Sequence, residues 1–164
     1  MPIAPADFRR ALACFASGVT AVTTRDADGR PLGLTVTAFS SVSLQPPLVL
    51  VCVDARSEAH AGFKQSGVFG VSILSEDQES VSRRFAWGGA TKFEETRTVT
   101  GSLGVPLVAG ALAHLECRVV AAHPAGDHVV YVGEIVTLST RPGRPLLYDQ
   151  GRYRRLDPDE GDPA

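Results

Sequence analysis

The sequence predicts a mostly β domain, an antiparallel barrel with a few short helices. Three observations predict it. Six or seven short segments read as strands, turn signals join several of them as hairpins, and long helices do not alternate with strands as a doubly wound sheet requires. The first element is a helix over Pro5 to Ala16. Pro5 suits an opening turn, Phe8, Leu12 and Phe15 fall at helical spacing, and Gly18 can end it. Val19 to Thr24 is a strand, and Asp28-Gly29 is the hairpin dipeptide that follows it. Leu34 to Leu44 is a second strand region, punctuated by Pro46 and Pro47. Leu48 to Val53 is continuously apolar, as expected of a strand covered on both faces.

A short helix over Ser57 to Gln65 precedes a strand over Val68 to Leu74. Ser75 and Gln78 then fit a capping box, with acids in the first turn of the helix and Arg83 and Arg84 in its last. Trp87 to Ser102 is rich in Gly and Thr and reads as a long loop. Leu112 to His123 and Val129 to Leu138 form an antiparallel hairpin around a turn at Pro124 to Asp127, and a last strand lies near Leu146 to Tyr148. Residues 1–156 form one domain, and residues 157–164 are an acidic tail expected to be disordered.

Charge narrows the function classes. Sixteen Lys+Arg against 18 Asp+Glu gives −2, which argues against a nucleic-acid or anionic-membrane partner. Only Lys64 and Lys92 among those cations are lysines, a bias toward fork-shaped hydrogen bonding that a GC-rich genome also produces. Cys14, Cys52 and Cys117 are odd in number, lack metal spacing and sit among apolar neighbours, so they read as free, buried thiols of a cytoplasmic protein. No signal peptide is visible, and the longest apolar run is far short of the ~20 residues of a membrane helix.

Four stretches carry candidate chemistry. Period-two reading of Gly33 to Leu44 puts Leu34, Val36 and Ala38 on one face and Thr35 and Thr37 on the other, and the alternation breaks at Phe39-Ser40, which predicts a bulge or bend. Thr35, Thr37, Ser40, Ser41 and Ser43 suit a phosphate or a polar ring edge, and equally a plain solvent-exposed strand face. At Val51 to Ser57 a strand ends and a helix begins, with Asp54 or Ser57 as cap; Arg56 could help bind an anion there or simply lie on the surface. Arg83 and Arg84 can clamp a phosphate or merely complement a helix end. Gly126-Asp127-His128 is a tight turn that holds His128 at a strand start, where a surface histidine would also sit. His60, His114 and His123 share no ligand spacing, so no metal is expected. No G-x-G-x-x-G, P-loop, G-x-S-x-G or H-E-x-x-H occurs, and no carboxylate pair stands out. A hydrolase would need such equipment, whereas a redox protein can leave the hard chemistry to an organic cofactor.

From Phe8 to Leu156 the chain resembles the short-chain flavin reductase family. The resemblance rests on an ordered set: Phe15-Ala-Ser-Gly-Val19, Gly33-Leu-Thr-Val-Thr-Ala-Phe-Ser-Ser-Val-Ser-Leu44, Pro46 to Val53, Phe69 to Leu74, Ser82-Arg-Arg-Phe-Ala86, Leu115 to Cys117, Gly126-Asp-His128 and Pro145 to Tyr148. It implies an FMN-binding split β-barrel, antiparallel and Greek-key-like, in a homodimer that reduces FMN or FAD with NADH or NADPH for a partner flavin-dependent monooxygenase. It further implies that Thr35, Val36, Thr37, Ala38, Ser40 and Ser41 hold the isoalloxazine edge and ribityl chain. Cys52, Val53, Asp54 and Ser57 would lie along the flavin and its phosphate, and Arg83 or Arg84 would reach that phosphate. His128 is the candidate catalytic residue, beside the nicotinamide, with Tyr148 and Tyr153 helping to hold that nucleotide. The family's S-S-F run is Thr37-Ala38-Phe39 here, so one hydrogen bond would come from backbone. A non-enzymatic flavin carrier and a pyridoxamine-phosphate-oxidase-like enzyme on the same barrel are the alternatives.

Overall fold

The structure, a computed structural model, describes residues 2–89 and 91–157. The expected disordered tail lies, from residue 158 on, outside the described residues. The elements are α1 (Pro5–Leu12), β1 (Ser17–Gly18), β2 (Thr20–Arg25), β3 (Pro31–Val36), β4 (Phe39–Ser43), β5 (Leu48–Asp54), α2 (Glu58–Ser66), β6 (Val68–Ile73), α3 (Glu79–Ala86), α4 (Thr91–Glu94), β7 (Thr98–Thr100), β8 (Pro106–Val108), β9 (Ala113–Ala125), β10 (His128–Thr140), β11 (Leu147–Asp149) and β12 (Arg152–Arg154).

Seven strands form one antiparallel sheet in the order β3-β2-β6-β9-β10-β5-β4. Its two edge strands are consecutive in the chain, joined by Thr37 and Ala38 alone. Laid flat, seven strands would hold their edges about 29 Å apart at the usual inter-strand spacing. The step from Val36 to Phe39 spans at most about 11 Å. The sheet therefore curls until its edges meet, and β3 and β4, which run in the same direction, are one strand bent at Thr37-Ala38. The bend falls two residues before the predicted break at Phe39-Ser40, and a separate bulge lies between Ser41 and Ser43.

The curl encloses a core that takes residues from strands near both edges: Val36, Val49, Val51, Val53, Phe69, Val71, Cys117 and Tyr131, plugged by Phe63 of α2. Phe63 packs on Phe69 and Tyr131 at centroid distances of 5.3 and 4.7 Å. A second cluster, with Ala21, Leu74, Phe85 and Leu146, covers the opposite face of β2 and β6 under α3. These two strands, not the expected β5, are buried on both faces. In β5 only Val49, Val51 and Val53 are fully buried, while Leu48, Leu50 and Cys52 are half-buried.

Other boundaries move for identifiable reasons. α1 stops at Leu12, because Ser17 and Gly18 pair with Tyr148 and Leu147 as β1 instead of closing a helix. Its apolar residues Phe8 and Leu12, and Phe15 beyond it, are exposed. Gln78 does reach back to the Ser75 N–H, at 3.1 Å, but Ser75 also bridges to Pro145 and its hydroxyl turns to the Asp77 carboxylate, so α3 starts only at Glu79. The predicted loop from Trp87 to Ser102 contains α4 and β7. β12, which pairs with β11, adds a strand that the periodicity did not show. Gly126, with φ of 67°, takes the left-handed position of the two-residue turn between β9 and β10, where a Cβ would be strained.

Candidate active site

Three groups of predicted residues converge around the β3–β4 bend. At the bend itself Thr37 and Ala38 are exposed. The Ala38 carbonyl accepts from the Cys52 N–H at 3.1 Å, which ties the bend to β5. Thr35, expected to face a ligand, instead donates its hydroxyl to the Ser82 carbonyl of α3 at 2.5 Å. Val36 is buried and its carbonyl accepts from the Thr20 hydroxyl at 2.7 Å. The Ser40 hydroxyl donates to the Ser41 carbonyl at 3.0 Å, and the Thr37 and Ser41 hydroxyls have no protein partner among the described residues. The hydroxyl row is thus split by the bend. One end stitches strand to helix and the other end is open.

Two residues along β5 from Cys52, Asp54 pairs in register with His128 of β10. Asp54 accepts from the Arg56 backbone N–H at 2.8 Å and is forked by its guanidinium, Nε at 3.1 Å and Nη2 at 2.8 Å. Those hydrogen bonds hold the Asp54 carboxyl far below the usual carboxylate range, and the charge of His128 adds to the effect. Arg56 is therefore an exposed partner of Asp54 rather than an unengaged anion ligand. Ser57, not Asp54, is the cap of α2, accepting from the Ala59 N–H at 3.3 Å. His128 is partly exposed and its Nδ1 lies 2.7 Å from the Asp127 carboxylate. The hydrogen bond and charge of His128 lower the Asp127 pKa. A carboxylate only accepts, so Nδ1 carries the proton and Nε2 is left for another partner. Val53 is wholly buried in the core, so its side chain cannot meet a ligand and only its backbone can.

The third group separates the two arginines that looked equivalent in sequence. Arg83 is held by Glu79 at 2.8 Å, and its guanidinium carbon sits 4.7 Å from the centre of the Tyr153 ring. Tyr153 meets Tyr148 edge-on at 5.2 Å, and its hydroxyl shares a 2.8 Å hydrogen bond with Ser82. A cavity of about 270 Å³ opens there between Arg83, Trp87, Tyr148 and Tyr153. Arg84 turns the other way, to Glu95 at 3.0 Å and Thr96 at 2.9 Å. Ser82 links this group to the bend, through Thr35 on its carbonyl and Tyr153 on its hydroxyl.

A larger recess of about 1060 Å³ runs from Arg56 and Ser57 past Gly33 to Phe85, Trp87 and Lys92. Sequence reading missed Trp87 and Lys92 as site residues, because both lie in the stretch read as a loop. Their rarity was the available signal: Trp87 is the sole tryptophan and Lys92 one of two lysines. The thiols also differ from expectation, since Cys14 is exposed, Cys52 half-buried and only Cys117 buried. Burial pushes the Cys117 thiol up to about 12. Among the described residues no group of three or more metal-ligating side chains occurs, and no helix is long and apolar enough to cross a membrane.

Residues 12–157 match the flavin reductase like domain. The chain is 46% identical over 157 residues to an NADH-dependent flavin reductase of Rhodococcus sp, covering 94% of this chain and 88% of that protein. It is 40% identical over 163 residues to a flavin-dependent monooxygenase reductase subunit of Rhodococcus jostii, covering 99% and 83%. The NADH:FAD oxidoreductase of Streptomyces globisporus, solved with NAD and FAD fragments, superposes with a TM-score of 0.91 at 38% identity, covering 98% of this chain and 99% of that one. The family match over residues 12–157, the identity to these relatives and the superposition agree, and the chain belongs to the flavin reductase like family.

Proposed function

We propose that the protein is an NADH:flavin oxidoreductase that reduces FMN or FAD and passes the reduced flavin to a partner monooxygenase. One observation carries the reading. The open bend at Thr37-Ala38 is hydrogen-bonded to β5, and β5 two residues later pairs with His128, so one wall offers both a flavin edge and a nicotinamide contact. The names of the relatives, NADH-dependent flavin reductase and monooxygenase reductase subunit, support the same cofactors and partner.

The residues fit a flavin. Exposed hydroxyl and backbone groups at Thr37, Ala38 and Ser41 face solvent where a polar ring edge needs donors and acceptors, with Ser40 beside them. Thr35 acts from behind, through Ser82, and Val36 contributes backbone only. Ser57 caps α2, whose first turn suits a phosphate, with Cys52, Val53 and Asp54 leading to it. Of the arginine pair, Arg83 is paired with Glu79 but borders an open cavity, whereas Arg84 turns away to Glu95 and Thr96, so Arg83 is the better placed to reach a ligand. A flavin held here would supply the ring that accepts a hydride, two electrons and a proton, from the nicotinamide. The protein's part is alignment and exclusion of water. His128, oriented by Asp127, holds the nicotinamide, and Tyr148 and Tyr153 flank it.

The sheet closed at the bend is a split barrel in this reading, and the working unit is a homodimer. Val42 in β4 and Leu44 just after it, Val136 and Leu138 on β10, and Phe8, Leu12 and Phe15 near the N-terminus are all exposed in one chain, apolar side chains that a second copy would cover. The free thiols Cys14, Cys52 and Cys117 suit a cytoplasmic setting.

The test is to mix protein with FMN or FAD, add NADH or NADPH, and follow nicotinamide oxidation. Oxidation is expected, and none with any pair would end the proposal. Quenched flavin fluorescence without turnover would favour the carrier. His128→Ala is expected to raise the KM for NADH about tenfold or more, an effect of the size expected for one good contact to the ligand, with flavin affinity unchanged. Light scattering is expected to give the mass of two chains.

A further inference from the structure

Serine is a weak choice for the middle of a helix, where its hydroxyl competes with the backbone for hydrogen bonds and often turns back to the carbonyl four residues earlier. Ser82 occupies the middle of α3 and is fully buried. Its hydroxyl reaches away from the helix instead, to the Tyr153 hydroxyl at 2.8 Å. Its carbonyl accepts from the Thr35 hydroxyl at 2.5 Å, two residues before the bend at Thr37. One residue thus anchors β3 through its backbone and a tyrosine of β12 through its side chain.

Tyr153 depends on that anchor. It is the central residue of β12, an edge strand of three residues that pairs only with the equally short β11. Strands this short hold little by themselves. Apolar packing against the second core cluster keeps the ring close to the body, but such packing is non-directional. The polar and aromatic neighbours are exposed: the Arg83 side chain is 63% exposed and already bonded to Glu79, and Tyr148 is exposed too. Contacts with exposed charged groups contribute little. The hydrogen bond to Ser82 is the directional contact with a buried partner. It is needed from both sides, because without Tyr153 the Ser82 hydroxyl would be buried with no other protein partner among the described residues. Tyr153 also lines the small cavity, with Tyr148, Arg83 and Trp87, so a ring that swings changes the shape of that space.

We propose that Ser82 is a positioning residue for the reductase reaction: its buried hydroxyl fixes the Tyr153 ring where that ring meets the nicotinamide nucleotide. The proposal deepens the flavin reductase reading and rests on it. Ser82 acts only through Tyr153 and is not itself a ligand of flavin or nucleotide. The Thr35 hydroxyl is held by the Ser82 carbonyl, which every substitution retains. Deleting the Ser82 hydroxyl therefore loosens the nucleotide side and leaves the bend in place.

Ser82→Ala, Tyr153→Phe and the double variant separate this role from a merely structural one. Calorimetric titration of the flavin-loaded proteins with NAD+, which binds without reacting, is expected to give a saturable isotherm in wild type. Each single variant should bind NAD+ about fivefold more weakly, the size of one lost hydrogen bond, and the double no more weakly than either. In turnover the KM for NADH should rise by the same factor, while kcat and the flavin Kd stay within about twofold of wild type. Losses that multiply in the double variant would mean two separate roles. Wild-type NAD+ affinity in Ser82→Ala, or a joint fall of kcat, flavin affinity and thermal midpoint, would mean a structural serine. Either result overturns the proposal, as does a flavin-loaded wild type that does not bind NAD+. Should Ser82→Ala fail to fold by circular dichroism, Ser82→Cys keeps a side chain of similar shape with a weak donor and is read by the same outcomes. Wild-type turnover with unaffected variants would sink the assignment of Ser82 alone. No NADH oxidation by wild type with either flavin would bring down the reductase reading and this assignment with it.

Discussion

The interior of the curled sheet and its rim at Asp54 to His128 are held by different means. In the interior, Phe63, Phe69 and Tyr131 are buried with Phe63 packed on both other rings, and there is no room for a side chain at Gly133, where a Cβ would lie 2.4 Å from the Phe69 ring. At the rim the contacts are ion pairs with exposed partners, Asp54 with Arg56 and Asp127 with His128. Close packing punishes any change of volume, whereas exposed ion pairs contribute little to stability. The interior therefore carries the fold, and the rim is free to be spent on ligands.

That contrast can be broken from either side. The largest expected effect is Phe69→Ala, which should cost about 3–5 kcal/mol in urea denaturation through the lost burial and the cavity left behind. A loss comparable to a surface substitution would mean the interior is not packed as described. Gly133→Ala should cost about 1–3 kcal/mol by overpacking against Phe69, and Phe69→Leu in the same chain should restore part of it. On the rim, Asp54→Asn is expected to leave the thermal midpoint close to wild type while flavin affinity falls several-fold, because Arg56 loses its anchor. A large fall in the midpoint with intact affinity would reverse the assignment of that corner. Thiol labelling sharpens the contrast further: Cys117, with its pKa pushed up to about 12 and its side chain buried, should stay unmodified at pH 8 until the protein is denatured. The smallest effect is a pH dependence. The folded-state pKa of Asp54 is depressed, so its contribution to stability is present above the ordinary value of 3.8 and is lost as pH falls below it. The stability difference between wild type and Asp54→Asn should shrink over that acid range.

Much of the fold was legible because strands and turns write themselves locally. The apolar run at Leu48 to Val53, the Asp28-Gly29 turn and the turn at Gly126-Asp127 all fall where expected. β12 was not legible, since Arg152 to Arg154 is too short and polar to show a period and exists only by pairing with β11. The same limit applied to α4, four residues located by Phe93 on Phe85. The N-terminal helix erred in the other direction. Its apolar spacing at Phe8 and Leu12 is real, yet that face finds no core within one chain.

The candidate site divides in the same way. Residue types and their order marked Thr35 to Ser41, the Asp54–Ser57 corner, the arginine pair and His128 as candidates, each with a plain surface reading beside it, and only the family resemblance gave them, and the late tyrosines, proposed roles. Which groups remain open to a ligand depended on partners distant in sequence. Ser82 takes the Thr35 hydroxyl, Glu95 and Thr96 take Arg84, Tyr153 takes the face of Arg83, and Gly33 anchors Lys92 across the recess. A periodic pattern records which side of a strand a residue faces, but not what stands opposite. That was decided only when α3, α4 and β12 packed against the curled sheet.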